Sequence, residues 1–263
     1  WLPTLFLGTE LLLMGRYRAG FLWLCPGGAL LLLAGHPESG FGMCLGLGIY
    51  FALRLALERR TGACFAKPIL VCAAAGAFSL GLAAAMLVPF LEYLGVSAHF
   101  TDRPGMETAY PLPASAAVGF WVPRFFGHSV DANYWGDLDA NLYGMMYPGI
   151  TVWLGAFLLL AGGKMERQTR HRAIALAIPA ALGAGLAWNV PGLDVLHRLP
   201  LFNTMLRCHH LGFCVFALPL LAALGLDHFL KARPGPRGVF RTAVAVLLCA
   251  AFVGWVYSFF SGL

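Results

Sequence analysis

Residues 68–91 read PILVCAAAGAFSLGLAAAMLVPFL, twenty-four positions without one charged side chain. At 1.5 Å per residue a helix of that length covers about 36 Å, more than the ~30 Å hydrocarbon core of a bilayer. The rest of the chain agrees with this stretch. Apolar residues make up 59% and charged residues 11%, and the mean hydropathy is +0.74. Soluble domains carry roughly 25% charged residues, so this chain is too poor in charge to cover a water-facing surface. A soluble enzyme, a disordered tail and a nucleic-acid binder are excluded. The pI near 9.1 then reflects basic loops at a membrane surface.

Working outward, further apolar runs cover about 1–15, 20–35, 41–57, 146–162, 173–190, 211–230 and 239–260. The predicted fold class is all-α: a polytopic transmembrane helix bundle of about eight spans with one long extracytoplasmic loop. Helices 1–4 occupy 1–91, the extracytoplasmic or interfacial loop 92–145, and helices 5–8 occupy 146–263. The 32 glycines and many alanines spread over the spans point to close helix–helix packing. The chain opens at Trp1 with no charged n-region or small-residue cleavage site, and the expectation is a piece of a longer protein.

Basic residues test the span count. Arg16 and Arg18 follow the first run; Arg54, Arg59, Arg60 and Lys67 end or follow the third. Lys164, Arg167, Arg170 and Arg172 follow the fifth, and Lys231, Arg233, Arg237 and Arg241 the seventh. Fourteen of the eighteen Lys and Arg thus fall in alternate connections, a pattern that a wrong count would scramble. Those connections are predicted to be cytoplasmic and the 92–145 loop external. Acidic and histidine residues gather in the other connections, so a site is expected on the external face.

Four groups there carry candidate chemistry. In LAGHPESGF (33–41), Pro37 disfavours helix at His36, and Gly35 and Gly40 permit a reversal that holds His36 and Glu38 at the surface. They would line a polar cavity or be an ordinary wet turn. In MLVPFLEYL (86–94), Pro89 is expected to kink or end the helix, with Glu92 facing a cavity or snorkelling at the boundary. Residues 112–127 are apolar, aromatic and broken by proline, which suits a re-entrant or interfacial piece. The aromatics from Trp121 to Tyr147 would serve a headgroup belt or stack on sugars. Asp131, Asp137 and Asp139 nearby admit a divalent cation or form a solvated acidic loop. In RLPLFNTMLRCHH (198–210), Arg207 can hold a phosphate through two hydrogen bonds, and His209 and His210 can add more. Adjacent histidines point apart on a helix, so no metal site is expected. The seven cysteines form no CxxC pair and read as small packing residues. No cofactor is implied.

The ordered set WLP (1–3), LAGHPESGF, MLVPFLEYL, WVPRFFG (121–127), YPGITVWLGAFLLL (147–160), RLPLFNTMLR (198–207) and LLAALGLDHFL (220–230) resembles the bacterial YfhO family, large multi-span proteins similar to the C-type membrane glycosyltransferases (GT-C). The resemblance implies a bacterial inner-membrane protein that moves a sugar from a polyprenyl-phosphate carrier to an extracytoplasmic acceptor. The catalytic acidic residue would lie in a loop preceding this stretch, so the catalytic residues here are unassigned. Arg207 and His36 would contact the donor phosphate. Leu211 stands where the family's second Arg is expected, which moves part of that contact onto His210. Substrate-binding candidates are therefore His36, Glu38, Glu92, Arg207 and His210. The partners implied are membrane lipid, the lipid-linked sugar and a larger membrane complex, with no nucleic acid. The rival class is a non-catalytic scaffold subunit of such a complex; a transporter is disfavoured by the lack of charged mid-helix sites.

The topology has a direct check. Single cysteines placed in 16–19, 58–67, 163–172 or 231–241 should resist an impermeant thiol reagent in intact cells, and labelling of 163–172 from outside would overturn the orientation.

Overall fold

The structure is a computed structural model. It describes residues 1–58, 65–97, 112–128, 130–136, 147–161, 165–199, 202, 205–232 and 235–261. Each predicted apolar run holds one α-helix: α1 Leu2–Leu13, α2 Tyr17–Leu33, α3 Pro37–Leu57, α4 Ala66–Val96, α5 Ile150–Ala161, α6 Arg167–Ala187, α7 Leu211–Ala232 and α8 Pro236–Ser261. Short 3-10 helices cover Ala114–Phe120, Asp194–Arg198 and Arg207–His210. No strand occurs among the described residues.

Among the described residues three helical stretches are long and apolar enough to cross a membrane: Pro37–Leu57, Ala66–Val96 and Arg207–Lys231. The 12-residue helices α1 and α5 reach only about 18 Å. Helix α6 opens with Arg167, Arg170 and Arg172, which removes its first turns from the apolar count. The chain divides into two compact units, 1–110 with 189–213 and 111–188 with 214–263.

In the first unit, the α1–α2 turn is a helix-stop built on Gly15. At φ +77° it lets the Arg16 N–H reach Leu11 O at 2.8 Å and its own N–H reach Leu12 O at 2.9 Å. These are the two bonds that satisfy the last carbonyls of a helix. The returning α2 then lies close on α1. A Cβ on Gly8 would stand 2.7 Å from Leu24 Cγ and one on Gly20 2.5 Å from Leu12 Cδ2. Helix α4 packs on α2 along one stripe, with Ala75, Ser79 and Ala83 buried. Ser79 Oγ lies 2.8 Å from both Cys25 O and Ala75 O, so its single proton serves either carbonyl. Small residues in this spacing let backbones approach where burial of apolar area gives no drive.

The other faces of α4 are apolar and open: Leu70 is 67% exposed, Leu82 61% and Leu91 63%. A contiguous apolar surface of that extent belongs against lipid or another apolar partner. Helix α4 also runs through Pro89 to Val96, so of the kink or end expected at Pro89 the end is absent. The proline removes one backbone bond, a loss that helices in apolar surroundings absorb by local adjustment.

Arg54 differs from the loop role its sequence position suggests. It is 1% exposed inside α3 and joins α3 to α1. Its Nη1 lies 2.7 Å from Glu10 Oε1 and its Nη2 2.6 Å from Glu58 Oε1. Nε donates to Glu58 at 2.8 Å. The Tyr50 hydroxyl donates to Glu10 at 2.6 Å and accepts from Arg54 Nη1 at 2.6 Å. Tyr50, Arg54 and Glu58 are four residues apart and share one face of α3; Glu10 meets them from α1.

In the second unit, Leu112 N–H donates to Ala187 O at 3.1 Å and starts the turn of 3-10 helix over Ala114–Phe120. Turns, and no spanning α-helix, follow over 121–126, as the prolines predict. Helices α5 and α7 cross where a Cβ on Gly155 would stand 2.8 Å from Ala222 Cβ.

Removing one member of the Arg54 group should be far worse than removing the charges together. Arg54→Met leaves the partly exposed carboxylates of Glu10 and Glu58 uncompensated and should cost about 2–3 kcal/mol, whereas Arg54→Met with Glu10→Met and Glu58→Gln should recover most of that loss. Thermal unfolding of the detergent-solubilised protein measures both, and equal, small losses would make the group an ordinary surface network.

Candidate functional site

Gly35 takes φ +76° and ends α2. His36 caps α3, its Nδ1 accepting from Ser39 N–H at 3.3 Å, with Pro37 in the first turn. A fixed proline φ suits that position, where no N–H is needed. The reversal thus uses Gly35 alone, and Gly40 lies inside α3. Glu38 sits in the first helical turn, where a carboxylate is favoured by the helix dipole.

The 205–213 segment closes over this turn. Glu38 Oε2 accepts from Leu206 N–H at 3.3 Å and lies 2.8 Å from His209 Nδ1. The His36 and His209 rings meet edge to face at 4.8 Å, and Phe41 meets Phe202 at 5.3 Å. Glycine makes this approach feasible: a Cβ on Gly42 would stand 2.9 Å from Met205 Cε and 3.2 Å from His209 O. Behind it, His210 lies against Phe202 at 5.7 Å and His197 at 5.5 Å.

Of the sequence-predicted residues, His36, Glu38 and His210 belong to one connected group, and Arg207 stands in the same short 3-10 helix as His209 and His210. Arg207 is half-buried, yet its Nε and Nη1, like His210 Nε2, are shielded from solvent and have no hydrogen-bond partner among the described residues. Glu92 is exposed on α4 and makes no hydrogen bond or ion pair with a described residue. His209, the direct partner of Glu38, carries more of the contact than its place beside His210 suggested. Nothing in the sequence marks that pair, because its members are 171 positions apart.

The aromatics of 112–135 spend most of their faces on one another and on α5 and α6. Trp121 stacks on Trp153 at 4.1 Å, and Phe120 contacts Trp153 and Trp188. Trp153 Nε1 donates to Phe120 O at 2.7 Å and Trp188 Nε1 to Pro113 O at 3.2 Å. Trp135, 51% exposed, rests on Phe125 and Phe126. Asp131 lies 3.7 Å from Arg124, both exposed. Asp137, Asp139 and Tyr143 lie outside the described residues. Among the described residues no three His, Cys, Asp or Glu side chains are grouped to hold a metal ion.

Neither family models nor curated proteins nor solved structures yield a match to this chain.

The Glu38 contacts predict a contrast between two carboxylates. Glu38→Ala orphans the Leu206 N–H and the His209 ring and should cost about 1–3 kcal/mol in thermal unfolding. Glu92→Ala should stay within about 0.5 kcal/mol of wild type.

Proposed function

We propose that the chain is part of a polytopic bacterial inner-membrane protein of about eight crossings that binds the phosphate of a polyprenyl-phosphate-linked sugar at the His36–Arg207 end. The reaction would be that of a C-type glycosyltransferase. An acceptor hydroxyl attacks the anomeric carbon, a general base takes its proton, and the carrier phosphate leaves with the electron pair of the glycosidic bond. Arg207 stabilises the phosphate charge in that departure. His36 and His210 flank it, Glu38 holds the 205–209 segment in place, and the base is assigned to no residue of this sequence.

The supporting observation is the Arg207 guanidinium. Two of its nitrogens are withdrawn from water with no hydrogen-bond partner among the described residues, and the charge of Asp194 reaches it only through space. A buried N–H on a cation gains most from a phosphate, two of whose oxygens can accept parallel bonds from the guanidinium. Its neighbour His210 Nε2 is in the same condition. The competing reading is a scaffold subunit, favoured by the open apolar faces of α4, which would then pack on a partner's helices.

Lipid-carrier binding by the full-length protein separates the two. Arg207→Ala should weaken binding of a polyprenyl phosphate by roughly 1.5–3 kcal/mol, about ten- to a hundredfold. Arg207→Lys should restore part of it, keeping the charge without the planar fork. Arg124→Ala, on the exposed Arg, should change nothing. Equal, negligible losses in all three would leave the scaffold reading.

A further inference from the structure

A second binding surface lies at the opposite end of α2. It is an open groove of about 530 Å³, walled by Phe21 and Leu22 of α2 and by Leu70 and Ala74 of α4, with Tyr17 and Arg18 at its mouth. Phe21 is held by an edge-to-face contact with Phe78 at 5.6 Å. Leu22 and Leu70 are each 67% exposed, so the walls are apolar and uncovered. Helix α2 separates this mouth from His36 by its 17 residues, about 25 Å along the axis. The groove therefore belongs to the other membrane face, and its argument is independent of the phosphate reading above.

The mouth is basic. Arg18 lines it and Lys67 stands over Tyr17; both are exposed, and neither has an acidic partner among the described residues. Lys67 Nζ sits 4.6 Å over the Tyr17 ring, a cation–π contact that holds the ammonium at the groove entrance. An apolar channel that ends in unpaired cations and a tyrosine has the layout of a phospholipid at the membrane interface. Acyl chain lies along the apolar walls, tyrosine sits at headgroup depth, and Lys and Arg meet the charge. A water-soluble anion has no use for the walls, and a zwitterionic lipid leaves the cations uncompensated.

We infer that the α2–α4 groove is a binding site for an anionic phospholipid of the leaflet on the basic-loop side, with Arg18 and Lys67 on its headgroup and Phe21, Leu22, Leu70 and Ala74 along one acyl chain. The lipid completes the surface between the two helices and ties the α1–α2 hairpin to the start of α4.

Native mass spectrometry of the full-length protein in neutral detergent tests this. The protein is titrated with phosphatidylglycerol, with phosphatidylcholine of the same chains, and with inorganic phosphate. Wild type should retain phosphatidylglycerol about tenfold more tightly than phosphatidylcholine and should not retain phosphate. Arg18→Ala with Lys67→Ala should remove that preference, at roughly one basic residue's worth of attraction each. Arg18→Lys should keep it, and Leu22→Trp, which fills the groove, should weaken both lipids. Arg237→Ala with Arg241→Ala, in the first turns of α8, should leave the preference intact. All these positions are exposed, so unfolding temperatures without added lipid should match wild type. Equal retention of the two lipids by wild type, a preference that survives Arg18→Ala with Lys67→Ala, or an equal loss in the α8 variant would each overturn the assignment.

Discussion

The first unit depends on a buried guanidinium. Arg54 is almost fully enclosed, and a charge in apolar surroundings is tolerated only when paired and hydrogen-bonded. Two carboxylates and a phenol satisfy it, and one of those carboxylates, Glu10, arrives from a different helix. The register of α1 against α3 is thereby set by directional polar contacts. Apolar packing between two helices, which has no preferred direction, could not set it as tightly. Helix α2, joined to both by short turns, must then fit close to α1, and its glycines allow that.

Helix α3 links this anchor to the candidate site. Glu38 is in its first turn and Arg54 in its last, and the face between them carries Gly42 and Gly46, buried under Met205 and Phe213. One end of the helix is tied to α1 and the other to the 205–209 segment. The site is thus mounted on an element whose rotation is already fixed at the far end. Such mounting gives precise placement of His36, Glu38 and His209 without a large hydrophobic core beneath them.

The two ends differ in chemistry. The His36 end combines carboxylate, imidazoles and a partly shielded Arg; the Tyr17 end carries exposed cations over an apolar groove. On the readings proposed above, the first arrangement would select a ligand by hydrogen-bond geometry and the second by charge and apolar contact. A protein that handles a lipid-linked substrate on one face and is seated by anionic lipid on the other would use both.

The apolar runs were legible in the sequence because a helix that meets lipid must be apolar over its whole length, and that needs no knowledge of partners. Each run holds a helix, and Gly15, Gly35 and Pro37 mark helix ends through local backbone preferences alone. That 112–127 forms no α-helix was equally local, set by its prolines. Tertiary structure decided the rest. Arg54 counted as a loop cation until α1 brought Glu10 to it. Tyr50, Arg54 and Glu58 at four-residue spacing, with a lone acid in the first apolar run, were the available signal. Pro89 reads locally as a break, yet α4 continues through it. The Glu38–His209 contact has no local trace, because hydrogen bonds between residues so far apart are specified only by the packing that brings α3 and the Arg207–His210 turn together.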